Sequence, residues 1–143
     1  MPAAEAGGGA LTDDEIADLL DPLANRRGLV LAVSGGPDSL GMLAAFARWG
    51  ANRSDLHVAS VDHGLRPEAA AECQAVMAAA AQFGLPAKTL HWTGPKPAAG
   101  LQEAARAARY ALLLDYARAV GAEGLVLAHH LDDQAETVLM RLA

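Results

Sequence analysis

Short apolar runs alternate with longer segments of helical periodicity along this chain, and that alternation restricts the possible folds more than any other feature. Four runs have the length of strands, at residues 29–33, 57–61, 87–92 and 125–128. Three helical segments separate or follow them, at residues 39–49, 68–83 and 101–120. Strands that are apolar throughout are buried on both faces. The sequence therefore predicts an α/β fold, a doubly wound parallel sheet of about five strands with right-handed crossovers.

The two ends of the chain are interpreted separately. Residues 1–10 are rich in alanine and glycine and are predicted to form a flexible tail. Thr12 offers an N-cap, with Glu15 three residues later as in a capping box, for a helix that runs to about Leu23. At the other end, a loop at residues 129–133 is predicted to lead into a helix that is still running at residue 143. We therefore expect one domain, residues 11–143, in truncated form.

Composition excludes several classes of protein. The formal net charge of −6 argues against a domain that grips nucleic acid by charge alone, but not against RNA held mainly by another segment. A single cysteine, Cys73, rules out an internal disulfide and a cysteine zinc cage, and is interpreted as a small buried residue. No apolar run reaches the roughly 18 residues of a membrane span, and no signal peptide is present. We expect a soluble cytoplasmic protein with no membrane partner.

A glycine-containing loop separates the first strand from the helix that follows it. It consists of Ser34, Gly35, Gly36, Pro37, Asp38 and Ser39. Glycine lets the backbone approach a ligand closely, and a helix start offers free N–H groups and a favourable dipole, so the loop suits a phosphate. It has no lysine and so is not a Walker A loop, and it lacks the GxGxxG spacing of nicotinamide-binding folds. The alternative is an ordinary tight turn with Asp38 or Ser39 as N-cap.

Asp38 is the unexpected member of this loop. A carboxylate beside a phosphate repels it unless a cation lies between them. The sequence therefore points to Mg²⁺ bridging Asp38 to phosphate oxygens.

Two more polar clusters, at residues 62–66 and 129–136, follow the second and fourth strands. Ligands of such sheets bind at the carboxyl ends of the strands. Asp133 and Glu136 are three residues apart at a predicted helix start and would share one face. Together they could seat an ammonium group, or they could simply be acids favoured by the helix dipole. The nearby histidines, His129 and His130, lack the spacing of a helical zinc site, which disfavours zinc.

Two arginines lie three residues apart on the predicted helix 101–120. Arg109 is the better candidate for binding an anion, because a planar guanidinium suits a phosphate or a carboxylate. The alternative is a helix-surface salt bridge, which we predict between Glu103 and Arg106.

The glycine loop, SGGPDS, resembles the SGGxDS signature of the ATP-pyrophosphatase (PP-loop) family. Members of that family cleave ATP between the α and β phosphates and adenylate an oxygen that a nucleophile then displaces. Three further segments resemble the tRNA(Ile)-lysidine synthetases within it. These are VDHGLR at residues 61–66, the Arg109-Tyr110 pair, and AHHLDDQAET at residues 128–137. The resemblance covers about residues 28–143.

This resemblance implies the adenine nucleotide α-hydrolase-like (Rossmann-like) version of the fold and the use of ATP with Mg²⁺. It also implies AMP transfer to the C2 carbonyl oxygen of the wobble cytidine in an isoleucine tRNA with a CAU anticodon. Free L-lysine would then displace AMP and leave lysidine. The implied site has three parts. ATP would lie at residues 34–39 and His63, lysine at Asp133 and Glu136, and catalysis would rest on Asp38, Arg109 and His129.

Two rival functions stay open at this point. A PP-loop tRNA thiolase would need reactive cysteines, and the lone Cys73 disfavours it. A non-catalytic ATP-binding module would leave Asp38, Asp133 and Glu136 without an evident task. The family enzymes carry further C-terminal domains that hold tRNA, so we expect the 143-residue chain alone to be inactive on tRNA. A homodimer is compatible with the sequence.

Overall fold

The computed structural model describes residues 13–129 and 134–139, with backbone alone at residues 37, 38, 128, 129 and 134–139. The predicted tail at residues 1–10 lies outside the described residues, and so do His130 and Asp133. The helices are α1 (Asp13–Leu20), α2 (Pro37–Trp49), α3 (Glu68–Gln82) and α4 (Leu101–Ala119), with a 3₁₀ turn at Asp21–Leu23 after α1. The strands are β1 (Leu29–Ala32), β2 (Leu56–Asp62), β3 (Ala87–His91), β4 (Gly124–His129) and β5 (Gln134–Leu139).

The strands form one sheet in the order β3-β2-β1-β4-β5. The first four are parallel, with Leu31 of β1 opposite Val58 of β2 on one side and Val126 of β4 on the other. The chain moves outward from β1 through β2 to β3, and then returns across the sheet to place β4 on the far side of β1. The strand order therefore reverses between β1 and β4, and the carboxyl ends of these two strands flank the crevice where such folds bind ligands.

The core consists of two buried clusters, one on each face of the sheet. Leu29 and Leu31 of β1 join the cluster under α1, α2 and α3, whereas Val30 and Ala32 join the cluster under α4. Successive side chains of a strand point to opposite faces, so a strand covered by helices on both faces must be apolar at every position. The prediction of a doubly wound α/β fold from the continuous apolar runs is confirmed.

The predicted strand count and the last element need correction. Four strands are parallel, and the fifth, β5, runs antiparallel to β4, with Glu136 opposite Leu127. The helix predicted after residue 133 is wrong over Gln134–Leu139. Without β5 the outer edge of β4 would expose a row of unpaired backbone groups, and an antiparallel return strand satisfies them. The β-branched Thr137 and Val138 suit an extended conformation better than the helical pattern suggested.

Helix boundaries agree with the predictions to within about two residues. Gly84 and Gly121, which follow the ends of α3 and α4, have positive φ values of 70° and 72°, a backbone conformation that favours glycine after a helix. The helix α2 begins at Pro37 rather than at Ser39, because proline in a first turn needs no N–H partner and already has a helical φ. Within the described ranges no helix is long and apolar enough to cross a membrane.

Candidate active site at the carboxyl edge of the sheet

The loop at residues 34–39 joins the end of β1 to the start of α2. The β1 ladder continues one residue past the strand, where the Val33 N–H donates to the Ala59 carbonyl at 2.9 Å. Gly36 then occupies the N-cap of α2 and provides no side-chain cap. Neither Asp38 nor Ser39 is the N-cap, so the interpretation as an ordinary side-chain-capped turn is wrong. A glycine N-cap leaves the first-turn N–H groups to a ligand or solvent.

Two serine side chains close this loop from within. The hydroxyl oxygens of Ser34 and Ser39 are 2.7 Å apart, and Ser39 is only 3% exposed. One hydroxyl of the pair must donate to the other, so only one of the two hydroxyl protons is free to donate to a ligand. The pair links the strand end to the first turn of the helix.

Gly35 owes its identity to close packing. A β-carbon at this position would lie 2.5 Å from both the Cβ and the carbonyl oxygen of Glu72 on α3. Its φ is outside the left-handed region, so the constraint is space rather than backbone conformation. The loop therefore rests directly on α3. The sequence pattern explained Gly35 by the close approach of a phosphate to the backbone. It did not identify the contact with Glu72, because that contact joins residues distant in sequence.

The loop after β2 is held by its own hydrogen bonds. Asp62 Oδ1 accepts from the Gly64 N–H at 2.9 Å, and His63 Nδ1 accepts from the Leu65 N–H at 3.1 Å. An imidazole that accepts at Nδ1 and is neutral carries its proton on Nε2, which leaves His63 a donor for a ligand. The Arg66 guanidinium donates to Glu72 Oε1 at 2.8 Å, so this loop also bears on α3 beside Gly35.

Arg109 is a half-buried cation on α4. It lies one turn before the buried Leu113 and two before Ala117, on the stripe of α4 that faces the sheet. Burial lowers the pKa of Arg109 and Arg106 lowers it further, while Tyr110 acts in the opposite direction. In the part of the chain that the structure describes, no hydrogen bond or ion pair engages its guanidinium. A partly desolvated charge without a partner is costly, so this position favours an anionic ligand.

Arg106 does not form the predicted salt bridge with Glu103. Its guanidinium lies 5.4 Å from the centre of the Tyr110 ring and donates to the Tyr110 hydroxyl at 3.4 Å. An exposed ion pair contributes little to stability. A contact between the Arg106 guanidinium and the Tyr110 ring on the same helix therefore competes with it.

The remaining predicted site residues belong to the β4–β5 region. His129 is the last residue of β4 and pairs with Gln134 of β5. Because β4 is the neighbour of β1, His129 lies at the same crevice as residues 34–39. Glu136 lies within the strand β5. The prediction that Asp133 and Glu136 share a helix face is therefore wrong, because Glu136 is not in a helix. Asp133 lies outside the described residues, and lysine binding by the two acids stays a prediction.

Metal and thiol chemistry are limited among the described side chains. No group of three or more histidines, cysteines and acids within them could hold a metal ion. Cys73 is 3% exposed, as expected for a small core residue, and burial raises the pKa of its thiol while Ser60 lowers it by a hydrogen bond. A buried thiol with a raised pKa is a poor nucleophile.

Sequence reasoning also missed Lys96, in the loop between β3 and α4. Its ammonium donates to the Trp92 carbonyl at 3.1 Å and lies 4.7 Å from the centre of the Trp92 indole. The sequence offers no local signal for this contact, because residues four apart are neighbours on a helix, whereas Trp92 and Lys96 lie in a loop.

Comparison with known proteins supports the resemblance to the PP-loop family. Residues 11–143 match the family of the PP-loop domain. Curated relatives bearing the name tRNA(Ile)-lysidine synthase include one from Methylobacterium nodulans, 64% identical over 80% of this chain and 34% of that protein. Another, from Rhodopseudomonas palustris, is 57% identical over 80% of this chain and 34% of that protein. The chain therefore spans about a third of the length of these relatives.

Two solved structures share the fold at low sequence identity. One is the U34-tRNA thiolase NcsA from Methanococcus maripaludis, with a TM-score of 0.71 and 20% identity over 85% of this chain and 45% of that one. The other is the NH3-dependent NAD synthetase from Campylobacter jejuni, with a TM-score of 0.56 and 19% identity over 79% of this chain and 51% of that one. The match of the PP-loop domain family to residues 11–143 shows that this chain belongs to that family.

Proposed function

We propose that this chain is the ATP-binding catalytic part of an enzyme that joins L-lysine to C2 of the wobble cytidine in an isoleucine tRNA with a CAU anticodon. The products would be lysidine in the tRNA, AMP and pyrophosphate. The observation that carries the proposal is the 64% identity, over 115 residues, to a relative named tRNA(Ile)-lysidine synthase. The loop after β1, whose helix has a glycine N-cap, and Arg109, which has no partner among the described residues, supply chemistry that suits this reaction.

ATP would bind along the carboxyl edge with its phosphates at residues 34–39. The N–H groups of the first turn of α2 and the free serine proton would donate to phosphate oxygens. His63 follows β2, the strand next to β1, and would donate from Nε2 to the ribose or the adenine. A nucleotide in this position would span the ends of neighbouring strands, as expected for a doubly wound sheet.

Mg²⁺ would be shared between Asp38 and the phosphates. Asp38 lies in the first turn of α2, one residue after Pro37. Mg²⁺ binds through one or two carboxylates together with phosphate oxygens and water, so a single aspartate beside the loop fits this metal better than a full protein cage. When bound, Mg²⁺ would neutralise phosphate charge during cleavage of ATP.

The reaction would proceed in two displacements. In the first, the C2 oxygen of the cytidine attacks the α-phosphorus, a new O–P bond forms, and the bond to pyrophosphate breaks. In the second, the lysine amine attacks C2, and the C2–O bond breaks to release AMP. The amine must lose a proton, and His129 at the end of β4 is our candidate base. Positioning and charge stabilisation at this edge would carry most of the catalysis.

Arg109 and the two acids would bind the charged parts of the substrates. The guanidinium of Arg109 would bind the α-phosphate or the lysine carboxylate, because either anion supplies the partner that it otherwise lacks. Asp133 and Glu136 would bind a lysine ammonium group.

A tRNA thiolase is the main competing reaction. The likeness to the thiolase NcsA is at 20% identity and concerns the fold alone. Sulfur transfer by protein thiols needs accessible thiolates, whereas the chain has one cysteine, and Cys73 is buried with a raised pKa.

The test uses the full-length gene product with an isoleucine tRNA (CAU) transcript. We expect ATP–pyrophosphate exchange that requires tRNA, and incorporation of labelled lysine into the tRNA. Asp38→Asn should abolish both activities, whereas Asp18→Asn, on the exposed surface of α1, should leave both unchanged. Tight ATP binding without exchange or lysine incorporation would rule out the proposed reaction.

A further inference from the structure

The segment from β3 through the first half of α4 carries more positive than negative charge, although the domain as a whole is acidic. The whole chain has 11 lysines and arginines against 17 acids. Residues 87–109 reverse that balance, because their only acid is Glu103. The cations of this segment are Lys88, Lys96, Arg106 and Arg109. A local field of this kind attracts an anionic partner even when the net charge of the domain is negative.

Two of these cations are paired with aromatic rings. Lys96 lies 4.7 Å from the centre of the Trp92 ring, and Arg106 lies 5.4 Å from the centre of the Tyr110 ring. No salt bridge ties either cation to a carboxylate within the described side chains. Cations interleaved with aromatic rings are typical of surfaces that bind nucleic acid, where the charge meets phosphate and the ring meets a base or a sugar.

Lys96 holds a defined position although its loop is exposed. Its neighbours Pro95 and Pro97 are exposed, whereas Lys96 is half-buried. Its ammonium would lie 3.7 Å from a β-carbon added to Gly64, so Lys96 reaches from the loop after β3 to the loop after β2. The Trp92 carbonyl occupies one of the three donors of the ammonium, which leaves others for an outside acceptor.

The location of Lys96 favours an anion other than the ATP phosphates. The phosphate-binding loop follows β1, whereas Lys96 lies between the ends of β2 and β3, on the far side of β2 from β1. Two of the other cations lie on the face of the sheet that α4 covers. Lys88 is exposed opposite Ala59, which faces α4, and Arg106 is exposed on α4 itself.

We propose that this β3–α4 surface, defined by Lys96 with Trp92 and Arg106 with Tyr110, binds the phosphate backbone of the RNA substrate beside the nucleotide site. The inference rests on the proposed function for the identity of the RNA. Lys96 and Arg106 each contact one phosphate, and Trp92 and Tyr110 hold the two cations in place. The acidic net charge of the chain therefore does not exclude direct contact between this domain and RNA.

The test compares tRNA binding by full-length Lys96→Ala and Arg106→Ala with Arg118→Ala, across a series of KCl concentrations. Arg118 is a matched control, because it is exposed on the same helix but near its other end. Removing one phosphate contact should lower the slope of log K against log salt by about 0.7 and weaken binding roughly three- to tenfold at moderate salt. Lys96→Arg should retain most of the affinity, and ATP affinity should stay unchanged in every variant.

The outcomes separate this inference from the proposed reaction. If Lys96→Ala and Arg106→Ala bind tRNA as Arg118→Ala does, the surface does not contact RNA, whether or not lysidine forms. If Lys96→Ala weakens ATP binding and leaves tRNA binding intact, the phosphate belongs to ATP and the inference is wrong. If both variants lose tRNA affinity while wild-type protein incorporates no lysine, the surface is an RNA site and the reaction is the part that fails.

Discussion

Gly35 and Glu72 are packed so closely that the loop between β1 and α2 rests on the main chain of α3, with 2.5 Å between the Glu72 carbonyl oxygen and any β-carbon placed at Gly35. The position of the loop that is predicted to bind phosphate is therefore set by a helix that contributes no predicted ligand. Arg66 pairs with the Glu72 side chain at 2.8 Å, so the loop after β2 depends on the same turn of α3. The loop after β1 and the loop after β2, which both carry predicted ligand residues, therefore contact the same residue of α3, Glu72.

Gly35→Ala should displace the loop and weaken ATP binding by about tenfold or more, because small misplacements of binding groups are costly. Overpacking against α3 should also lower the free energy of unfolding by about 1–3 kcal/mol. Gly84→Ala is the control, since a β-carbon there meets nothing within 4 Å and only its positive φ causes strain. Calorimetric ATP titration and urea unfolding measure the two effects. Unchanged ATP affinity in Gly35→Ala would contradict the packing explanation.

Arg109→Met should have opposite effects on stability and on activity. Replacing a half-buried cation that has no partner among the described residues with an apolar side chain should raise the free energy of unfolding by about 1 kcal/mol. The same change should lower kcat/KM for lysidine formation by about a hundredfold or more, because an anion loses its guanidinium. The control is Arg118→Met, at an exposed arginine of the same helix, which should leave both unchanged. A variant that is less stable yet fully active would show that Arg109 is structural.

His57 should make the stability of the domain depend on pH near neutrality. Burial lowers the pKa of His57, although Asp55 opposes this, and its buried Nδ1 has no hydrogen-bond partner among the residues that the structure describes. Below about pH 6.5 the unfolded chain takes up a proton that the folded form binds less tightly, so the free energy of unfolding should fall as pH falls through this range. His57→Gln should reduce this slope, while His91→Gln, at a largely exposed side chain, should not. Equal slopes in wild type and His57→Gln would assign the pH dependence to other groups.

Asp55 should stabilise the fold at neutral pH and lose that effect in acid. Its Oδ2 accepts from the Gly28 N–H at 2.7 Å and its carboxylate pairs with Arg53, whose hydrogen bond is the main reason the pKa of Asp55 falls to about 2. The stabilisation should be complete above about pH 4 and disappear as pH falls toward 2. Because the carboxylate is partly exposed, we expect Asp55→Asn to cost only about 1 kcal/mol at pH 7. Asp115→Asn, at an exposed pair with Arg118, should cost almost nothing in the same urea titration.

The fold could be predicted from local patterns because a strand that is buried on both faces must be apolar at every position. Val30 and Leu31 point to opposite faces, and both had to be apolar. Gly84 and Gly121 marked helix ends because a left-handed residue there favours glycine. The loop at residues 34–39 could also be recognised from its local sequence. Its residue types, at a junction between a strand and a helix, are typical of loops that bind phosphate.

The wrong predictions concern residues whose local pattern suits two arrangements equally well. The segment Gln134–Leu139 has residues that suit either a helix or a strand, and the open edge of β4 favours the strand. Arg106 has both Glu103 and Tyr110 within reach along its helix, and only the arrangement of side chains shows that it meets the ring.

The residue order of this chain was sufficient for the alternation of strands and helices, the phosphate loop and the family, because each depends on local residue types and their spacing. The support of Gly35 by Glu72, the burial of Arg109 against the sheet and the reach of Lys96 to Gly64 appeared only in three dimensions. Those relationships join segments brought together by the sheet order, and no local pattern encodes a distance between residues far apart in sequence.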